Sequence, residues 1–296
     1  MGPPFVRHLP PILSPAPAPA PPVFPPPDPC EAGPVNDPLP LPGGMMNTVT
    51  RRGDRVLRTA PATAAALHPH VRALPGAGFD GAPRPLALGP DGREELGFVE
   101  GEVALPPFPA WIADDAVLAS AARLLRRYHD AAARVPVDTA APWPADLADP
   151  HGGPLLCHND PCVENLVFRG RRAAALIDFD LAAPGRPLWD VAALAYYMGP
   201  TLPPEAAAGT VWEGLDTARR LRVIADAYGL AGADRTLLPR TVEEYLEVAR
   251  AFVAGRIAAG DAAFVRAHAA SGGWERWDRR RDRLADQRPR LVRALA

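Results

Sequence analysis

The residues whose types and spacing could do chemistry lie between positions 157 and 190. Asp160 and Asn165 stand five positions apart in a predicted loop between apolar runs, and Asp178 ends the next predicted strand. One carboxylate can orient and deprotonate a hydroxyl group, and an amide with a second carboxylate offers hard oxygen ligands for Mg²⁺. These are the groups that phosphoryl transfer needs. Because polar groups between apolar strands are costly unless they are used, the pattern indicates a reaction centre.

Each of these residues also has a purely structural interpretation. Asp160 and Asn165 could cap turns, and Asp178 could be an exposed strand end. Asp190, further along, is more typical of a helix cap than of a catalytic residue. Asp180 is equally compatible with an additional metal ligand and with an exposed side chain. The combination of all the spacings favours the functional interpretation.

Strands and helices must position this loop. Residues 43–60 and 96–99 contain short β-prone runs separated by glycine turns, whereas apolar residues recur at helical spacing from Asp114. The predicted buried face of that helix consists of Val117, Ala121, Leu124, Leu125 and Tyr128. From Asp190 onward the chain is predicted to be mostly helical. We therefore expect an α+β fold with a small β-rich lobe at 39–101 and a larger α-helical lobe at 102–296.

The amino-terminal end has a different composition. Residues 1–42 contain 17 of the 39 prolines, and proline disfavours both helices and paired strands. We predict a solvated, disordered tail over residues 1–38; a ligand for proline-binding modules is the alternative. A basic start and an uninterrupted apolar run are both missing, so we expect no signal peptide and a cytoplasmic location.

Composition excludes several classes of protein. The net charge is −2, which argues against nucleic acid or a membrane surface as a partner. All 32 basic residues are arginine, so no mechanism can use a lysine Schiff base or a P-loop lysine. The three cysteines form no CxxC pair, so neither a zinc site nor a disulfide framework is predicted. Cys162 in the polar loop is interpreted as an inert thiol.

The motif His158-x-Asp160-x4-Asn165, followed by Ile177-Asp178 and Asp190-x-Ala192, resembles the aminoglycoside phosphotransferase family. Within it, the chain looks most similar to an actinobacterial, trifolitoxin-immunity-like branch. The resemblance covers roughly residues 39–290 and implies a two-lobed protein-kinase-like fold. It also implies ATP or GTP and Mg²⁺ as cofactors, with a small-molecule hydroxyl compound, an antibiotic or a metabolite, as the acceptor. The oligomeric state stays open.

The resemblance assigns a role to each matching residue of the loop. Asp160 corresponds to the catalytic base, and Asn165 and Asp178 correspond to the metal ligands. His158 corresponds to a buried histidine that braces the metal-binding loop. Asp190 corresponds to the aspartate at the start of a helix that ties this helix to the catalytic loop.

The resemblance also implies a nucleotide site in the small lobe. Gly43 and Gly44 match the hairpin that covers the phosphates, where glycine permits close backbone approach. Val99 and Gly101 lie in the segment that resembles the hinge between lobes, whose main chain would bind the adenine. Arg58 occupies the place of the lysine that contacts the phosphates.

The chain departs from the family pattern in the small lobe. Arg58 replaces the lysine, although an ordinary strand-edge arginine is the alternative, and residues 59–79 contain no acid that could pair with it. His68 stands nearest to the place of the missing glutamate, although a half-buried histidine without a function is the plainer interpretation. Either an Arg58–His68 contact replaces the usual ion pair or no such pair forms. Asn159 and Asp180 differ from protein kinases, which argues against that class.

The acceptor is not specified by the sequence. Residues 241–296 carry 11 arginines against 8 acidic residues, whereas residues 100–150 carry 8 acidic residues against 4 arginines. Glu243 and Glu247 share one helix face. Charge alone therefore does not favour a polycationic acceptor over a neutral or anionic one. Three hypotheses follow: a small-molecule O-phosphotransferase, a kinase-like immunity protein that sequesters a toxin or antibiotic without turnover, and a proline-rich scaffold.

Overall fold

The computed structural model describes residues 39–41, 49–199 and 201–296. They belong to one unit that spans Pro38–Ala296. The proline-rich segment 1–38 and the predicted phosphate-covering residues Gly43 and Gly44 lie outside the described residues. Their assignments remain predictions.

The first part of this unit is an antiparallel sheet with the strand order β1-β2-β3-β5-β4. Its strands are β1 (Leu39–Pro40), β2 (Thr50–Arg52), β3 (Arg55–Thr59), β4 (Pro85–Leu88) and β5 (Arg93–Gly97). The register between β3 and β5 pairs Arg58 with Glu94, and side chains at paired positions project from the same face of a sheet. This register places a carboxylate beside Arg58.

Helix α1 (Ala64–Ala73) connects β3 to the rest of the sheet. It contains Pro69 within its length, so this helix forms despite a missing backbone donor. Leu67, His68 and Val71 are buried on one face of this helix. The same face therefore carries both core residues and a titratable ring.

The larger part is mostly helical. Its helices are α2 (Asp115–Ala132), α3 (Pro187–Met198), α4 (Pro204–Ala207), α5 (Thr217–Tyr228), α6 (Gly232–Ala258), α7 (Ala262–Ala270) and α8 (Gly273–Leu295). The five apolar residues predicted to form the buried face of α2 are all at most 2% exposed. Helix α3 is buried on nearly every side, which is typical of the central helix of a core. No helix in the described part of the chain is long and apolar enough to cross a bilayer.

Two small sheets, formed by β6 before α2 and by four strands between α2 and α3, carry the loops of interest. Their strands are β6 (Glu102–Val103), β7 (Leu155–Cys157), β8 (Leu166–Arg169), β9 (Arg172–Leu176) and β10 (Ala183–Gly185). Strands β8 and β9 form a hairpin whose register pairs Leu166 with Leu176. Asn165 precedes this hairpin and Asp178 follows it, so both emerge at the same end. The predicted α+β fold, with a small antiparallel-sheet lobe and a larger helical lobe, is confirmed.

Candidate active site

Asp190 holds the main chain of the loop that follows β7. Its two carboxylate oxygens accept hydrogen bonds from the backbone N–H groups of His158 and Asn159, both at 2.7 Å. Nε2 of His129 lies 3.0 Å from the same carboxylate. Asp190 lies in the first turn of α3, whose N-cap residue is Arg186. It therefore anchors the loop, as the resemblance implies, and does not occupy the N-cap of its own helix.

Burial makes this anchor a strong one. Asp190 is 0% exposed, and an ionised carboxylate that is removed from water needs several donors to offset the lost hydration. Asn159 has a φ of 65°, a left-handed conformation that costs energy for a residue other than glycine. The Nδ2 of Asn159 also donates to the carbonyl of Leu181 at 2.8 Å. These bonds stabilise the sharp turn that presents Asp160.

Asp160 and Asn165 lie side by side. Nδ2 of Asn165 donates to the carbonyl of Asp160 at 2.9 Å and to its Oδ2 at 3.1 Å. Because the amide nitrogen is used in this way, the amide oxygen is left for another ligand. Burial raises the pKa of Asp160, and a hydrogen bond from the hydroxyl of Tyr197 opposes part of that rise. The carboxylate is therefore more basic than an ordinary aspartate.

His158 connects this loop to the end of the hairpin. Its Nε2 donates to the carbonyl of Ile177 at 2.9 Å, and its Nδ1 accepts from the backbone N–H of Asp160 at 3.3 Å. Its ring is fully buried and packs on Phe179, with 4.5 Å between the ring centroids. The position of His158 thus agrees with the predicted bracing of the segment around Asp178.

Arg58 crosses from the sheet lobe to the hairpin end. Its Nη1 donates to Oδ1 of Asp178 at 2.8 Å, its Nη2 donates to Asp180, and its Nε donates to Glu94 at 2.6 Å. Arg58 is only 7% exposed, so it is not an ordinary strand-edge arginine. Asp180 is also buried by its side chain, which excludes the interpretation as an exposed residue. One guanidinium therefore bridges three carboxylates.

Glu94 is the acidic partner that the sequence analysis missed. Its Oε1 accepts from Arg58 and its Oε2 lies 2.6 Å from Nε2 of His68. The sequence left open an Arg58–His68 contact or no pair at all; instead, a carboxylate stands between the two residues and pairs with Arg58. Residues 59–79, where the family pattern places the acid, contain none; the β3–β5 register supplies it from a neighbouring strand. Pairing of the two strands was the only signal that could have found it.

The charges of this cluster determine its protonation. Burial opposes the charged form of Arg58, but Asp180, Asp178 and Glu94 hold its pKa above the ordinary value. Burial likewise opposes the ionised form of Glu94, but the hydrogen bond from His68 and the charge of Arg58 outweigh it and lower the pKa. Burial and the charge of Asp178 raise the pKa of Asp180 to about 7, although Arg58 opposes the rise. The cluster has more carboxylates than cations, which favours a bound cation.

The predicted hinge residues lie between β5 and β6. Val99 is half-buried in this segment, and Gly101 has a φ of 145°. A Cβ at Gly101 would lie 2.4 Å from Cγ1 of Val167 and 2.7 Å from the carbonyl oxygen of Phe168. Only glycine lets the chain pass this close to β8. The predicted hinge segment therefore packs in close contact with β8, the strand that follows Asn165.

Two tyrosines near Asp160 were not singled out from the sequence. The hydroxyl of Tyr245 on α6 donates to the carbonyl of Asn159 at 2.8 Å and lies 3.4 Å from the hydroxyl of Tyr197 on α3. The sequence pattern from Asp190 predicts helices, and nothing in the spacing of these residues marks their hydroxyl groups. Only the packing of α6 on α3 brings them to the loop.

Acidic residues of α6 form ion pairs with arginines, and the thiol of the polar loop is buried. Glu243, one of the two acids that share a helix face, pairs with Arg288 at 2.9 Å, and its neighbour Glu244 pairs with Arg240 at 3.2 Å. Cys162 is buried, and burial raises its pKa well above the ordinary value. It has the character of an inert thiol, as expected.

The two-lobed fold, with a buried Asp–Asn loop and a strand-ending aspartate between the lobes, defines a protein-kinase-like phosphotransferase architecture. The sequence model of the phosphotransferase enzyme family, APH, matches residues 137–224. The trifolitoxin immunity protein of Rhizobium leguminosarum bv. trifolii is 32% identical over 209 residues, which cover 68% of this chain and 77% of that protein. The chain belongs to this phosphotransferase enzyme family.

Solved structures share the fold at low sequence identity. A choline/ethanolamine kinase family protein from Mesorhizobium loti has a TM-score of 0.55 and 18% identity, covering 90% of this chain and 95% of its own. The GDP complex of aminoglycoside 2'-phosphotransferase-IIIa has a TM-score of 0.56 and 16% identity, with 88% and 95% coverage. The streptomycin–ATP–APH(2")-IIa ternary complex has a TM-score of 0.50 and 14% identity, with 78% and 91% coverage. The predicted kinase-like fold is confirmed.

Proposed function

We propose that this protein transfers the γ-phosphoryl group of ATP to a hydroxyl group of a small molecule. The observation that carries the proposal is the pairing of Asp160 with Asn165, next to Asp178 at the end of the same hairpin. A purely structural loop has little use for a buried carboxylate that is made more basic by its surroundings. In-line phosphoryl transfer needs such a group beside the acceptor oxygen.

Asp160 is proposed to act as the base. Its Oδ2 is held by Asn165, so the orientation of the carboxylate is set before an acceptor arrives. Its Oδ1 is buried and has no hydrogen-bond donor of good geometry among the described residues. That oxygen can accept the proton of the acceptor hydroxyl as the new P–O bond forms. Asp190 and His158 position the loop and have no contact with the reacting atoms in this scheme.

The residues present fit a magnesium ion. Asn165 offers its amide oxygen and Asp178 offers a carboxylate, both hard oxygen ligands. Among the residues that the structure describes, no cluster of three or more His, Cys, Asp or Glu side chains could hold a metal alone. This suits Mg²⁺, which is commonly bound by one or two carboxylates together with substrate phosphates. When bound, the ion would neutralise the negative charge of the phosphates.

Arg58, Glu94 and His68 are proposed to replace the lysine–glutamate pair of the small lobe. Glu94 holds the Nε edge of the guanidinium at 2.6 Å, so Nη1 and Nη2 face Asp178 and Asp180. Phosphate oxygens can compete for these two nitrogens because guanidinium binds phosphate in a bidentate manner. Gly43, Gly44, Val99 and Gly101 complete the proposed nucleotide site. The structural neighbours were solved with ATP and with GDP, so both ATP and GTP are to be tested.

The test is a transfer assay combined with a binding assay. The purified protein is incubated with ATP or GTP and Mg²⁺, and acceptor-dependent release of the nucleoside diphosphate is measured over a panel of hydroxylated compounds. Asp160→Asn is expected to abolish transfer while nucleotide binding, followed by thermal shift, stays unchanged. Asp178→Asn is expected to remove the Mg²⁺-dependent part of that shift. Full turnover by Asp160→Asn would refute the assignment.

A second candidate is a kinase-like immunity protein that binds its target without turnover. The observation that favours it is the engagement of Arg58 with both Asp178 and Asp180, which neutralises part of the charge that a metal would use. The related trifolitoxin immunity protein is the other support. No thermal shift with any nucleotide, together with tight binding of a toxin or antibiotic, would support this candidate over the first.

A further inference from the structure

Two adjoining cavities lie between the end of α3 and helix α8. One has a volume of about 170 Å³ and the other about 120 Å³, and both are lined by Tyr196, Arg276 and Arg280. Tyr197 lines the larger one, and its hydroxyl lies 3.4 Å from that of Tyr245, which donates to the carbonyl of Asn159, the residue before Asp160. The side chain of Tyr197 therefore stands between the larger cavity and the loop that carries the proposed base.

The two arginines of these cavities lack acidic partners. Arg276 and Arg280 are one turn apart on α8, and neither has a carboxylate within 4.0 Å among the described residues. Other arginines of the same helix do have acidic partners: Arg279 pairs with Glu205, and Arg281 pairs with Asp282. Two cations without counter-ions are therefore turned toward the cavities.

Arg280 is a buried cation without an acidic partner in the described part of the chain, and this burial is energetically unfavourable. It is only 9% exposed, its Nε donates to the Thr201 hydroxyl at 2.8 Å, and its guanidinium lies 3.6 Å from the centre of the Tyr196 ring. Burial and the like charge of Arg276 lower its pKa. A buried cation without an opposite charge is destabilising. An anionic ligand would remove this cost.

Aromatic rings form the other walls. Tyr196, Tyr197 and Trp212 line the larger cavity, and Trp277 lines the smaller one. Rings of this kind pack on the flat face of an aromatic or cyclic ligand. The walls and the two guanidinium groups together suit a ring that carries a carboxylate, and they repel a polycation.

We propose that the acceptor is an anionic, ring-containing hydroxyl compound whose acidic group binds Arg276 and Arg280 while its hydroxyl reaches Asp160. This inference rests on the proposed function for the fate of the hydroxyl group, but the charge preference of the cavity is independent of turnover. The balanced step forms a bond between the acceptor oxygen and the γ-phosphorus. It breaks the bond to the nucleoside diphosphate, and the hydroxyl proton goes to Asp160.

The test uses three probes with one skeleton and different charge. They are 4-(hydroxymethyl)benzoate, 4-(hydroxymethyl)benzamide and 4-(hydroxymethyl)benzylamine, and their binding is measured by calorimetry without nucleotide. We expect the benzoate to bind at least about tenfold more tightly than the amine, since charge-assisted bonds to guanidinium are strong. Arg276→Gln should reduce this preference to less than about threefold while the melting temperature stays unchanged, because Arg276 is half-buried, has no acidic partner among the described side chains and makes one long hydrogen bond to the carbonyl of Ser271, at 3.3 Å.

Arg281→Gln is the matched control. It removes the same charge from the same helix, but Arg281 is exposed and paired with Asp282. Arg280→Lys is the second variant, and it keeps the charge while losing the forked geometry. Equal or tighter binding of the amine, no binding of the benzoate up to about 10 mM, or an unchanged preference in Arg276→Gln would overturn the proposal. If the benzoate binds with the expected preference but no phosphoryl group is transferred to any acceptor, the proposed phosphotransferase function is contradicted and the charge preference of the cavity is not.

Discussion

Glu94→Gln tests the charge cluster that joins the two lobes. Glu94 is 1% exposed and its two oxygens face Arg58 and His68, each at 2.6 Å. Glutamine has one side-chain oxygen, so one of the two partners loses its acceptor and the new amide meets a donor. Removing one member of a buried ion pair costs about 3–5 kcal/mol when nothing else compensates. Because Arg58 keeps Asp178 and Asp180, we expect a loss of about 2 kcal/mol.

For a domain of this size, that loss lowers the melting temperature by about 4–8 °C. Thermal unfolding is measured for Glu94→Gln and for the control Glu95→Gln, which makes the same change at the next position of β5. Glu95 pairs with Arg55 at 2.6 Å, but that pair is exposed, so its loss should change the melting temperature by less than about 1 °C. We also expect Glu94→Gln to raise the KM for ATP, because Arg58 loses the bond that orients it. Equal melting shifts in the two variants would refute the reasoning.

Three other predictions concern the loop and the hinge. Because burial raises the pKa of Asp160, its basic form is lost as pH falls through the raised value; the acid limb of kcat/KM should therefore lie above the ordinary aspartate pKa of about 3.9. A pH–rate profile checks this, and a limb at or below that value contradicts it. Asp190→Asn, in which one oxygen must serve three donors, should cost about 3 kcal/mol in denaturant unfolding; a loss below about 0.5 kcal/mol would count against an anchoring role. Gly101→Ala should destabilise more than Gly92→Ala, because a Cβ at Gly101 would meet Val167 at 2.4 Å whereas nothing lies within 4 Å of Gly92. Equal losses of stability would show that the close approach at Gly101 is unimportant.

The forked shape of the Arg58 side chain explains how it can use an acid from a neighbouring strand. An ammonium group is a single point of charge, whereas a guanidinium is a planar fork with five N–H donors. Arg58 uses this fork to contact carboxylates on both sides, Glu94 in the sheet and Asp178 and Asp180 at the hairpin end. An acidic residue on the neighbouring strand, paired with Arg58 in the register of the sheet, can therefore take the place of an acidic residue on a helix. His68 on α1 contributes through Glu94 and not through Arg58.

The local parts of the molecule were predictable from the sequence. The apolar face of α2, the hairpin of β8 and β9 and the loop with Asp160 and Asn165 all depend on residues that are close in the chain. Periodicity and motif spacing report on such short-range structure directly. The bonds that Asp190 and His158 make agree with what the family resemblance implies for them.

What the sequence by itself determined is the type of chemistry: the loop residues, the fold class and the family follow from spacing, polarity and a motif. The tertiary structure alone decided which charges meet. Glu94 reaches Arg58 through strand register. Tyr245 reaches the carbonyl of Asn159, and Tyr197 reaches Tyr245, through helix packing. Arg276 and Arg280 line the cavities through the position of α8. Such contacts join residues that are far apart in the chain. Their strength depends on burial, because a charge gains or loses most when water is removed from around it.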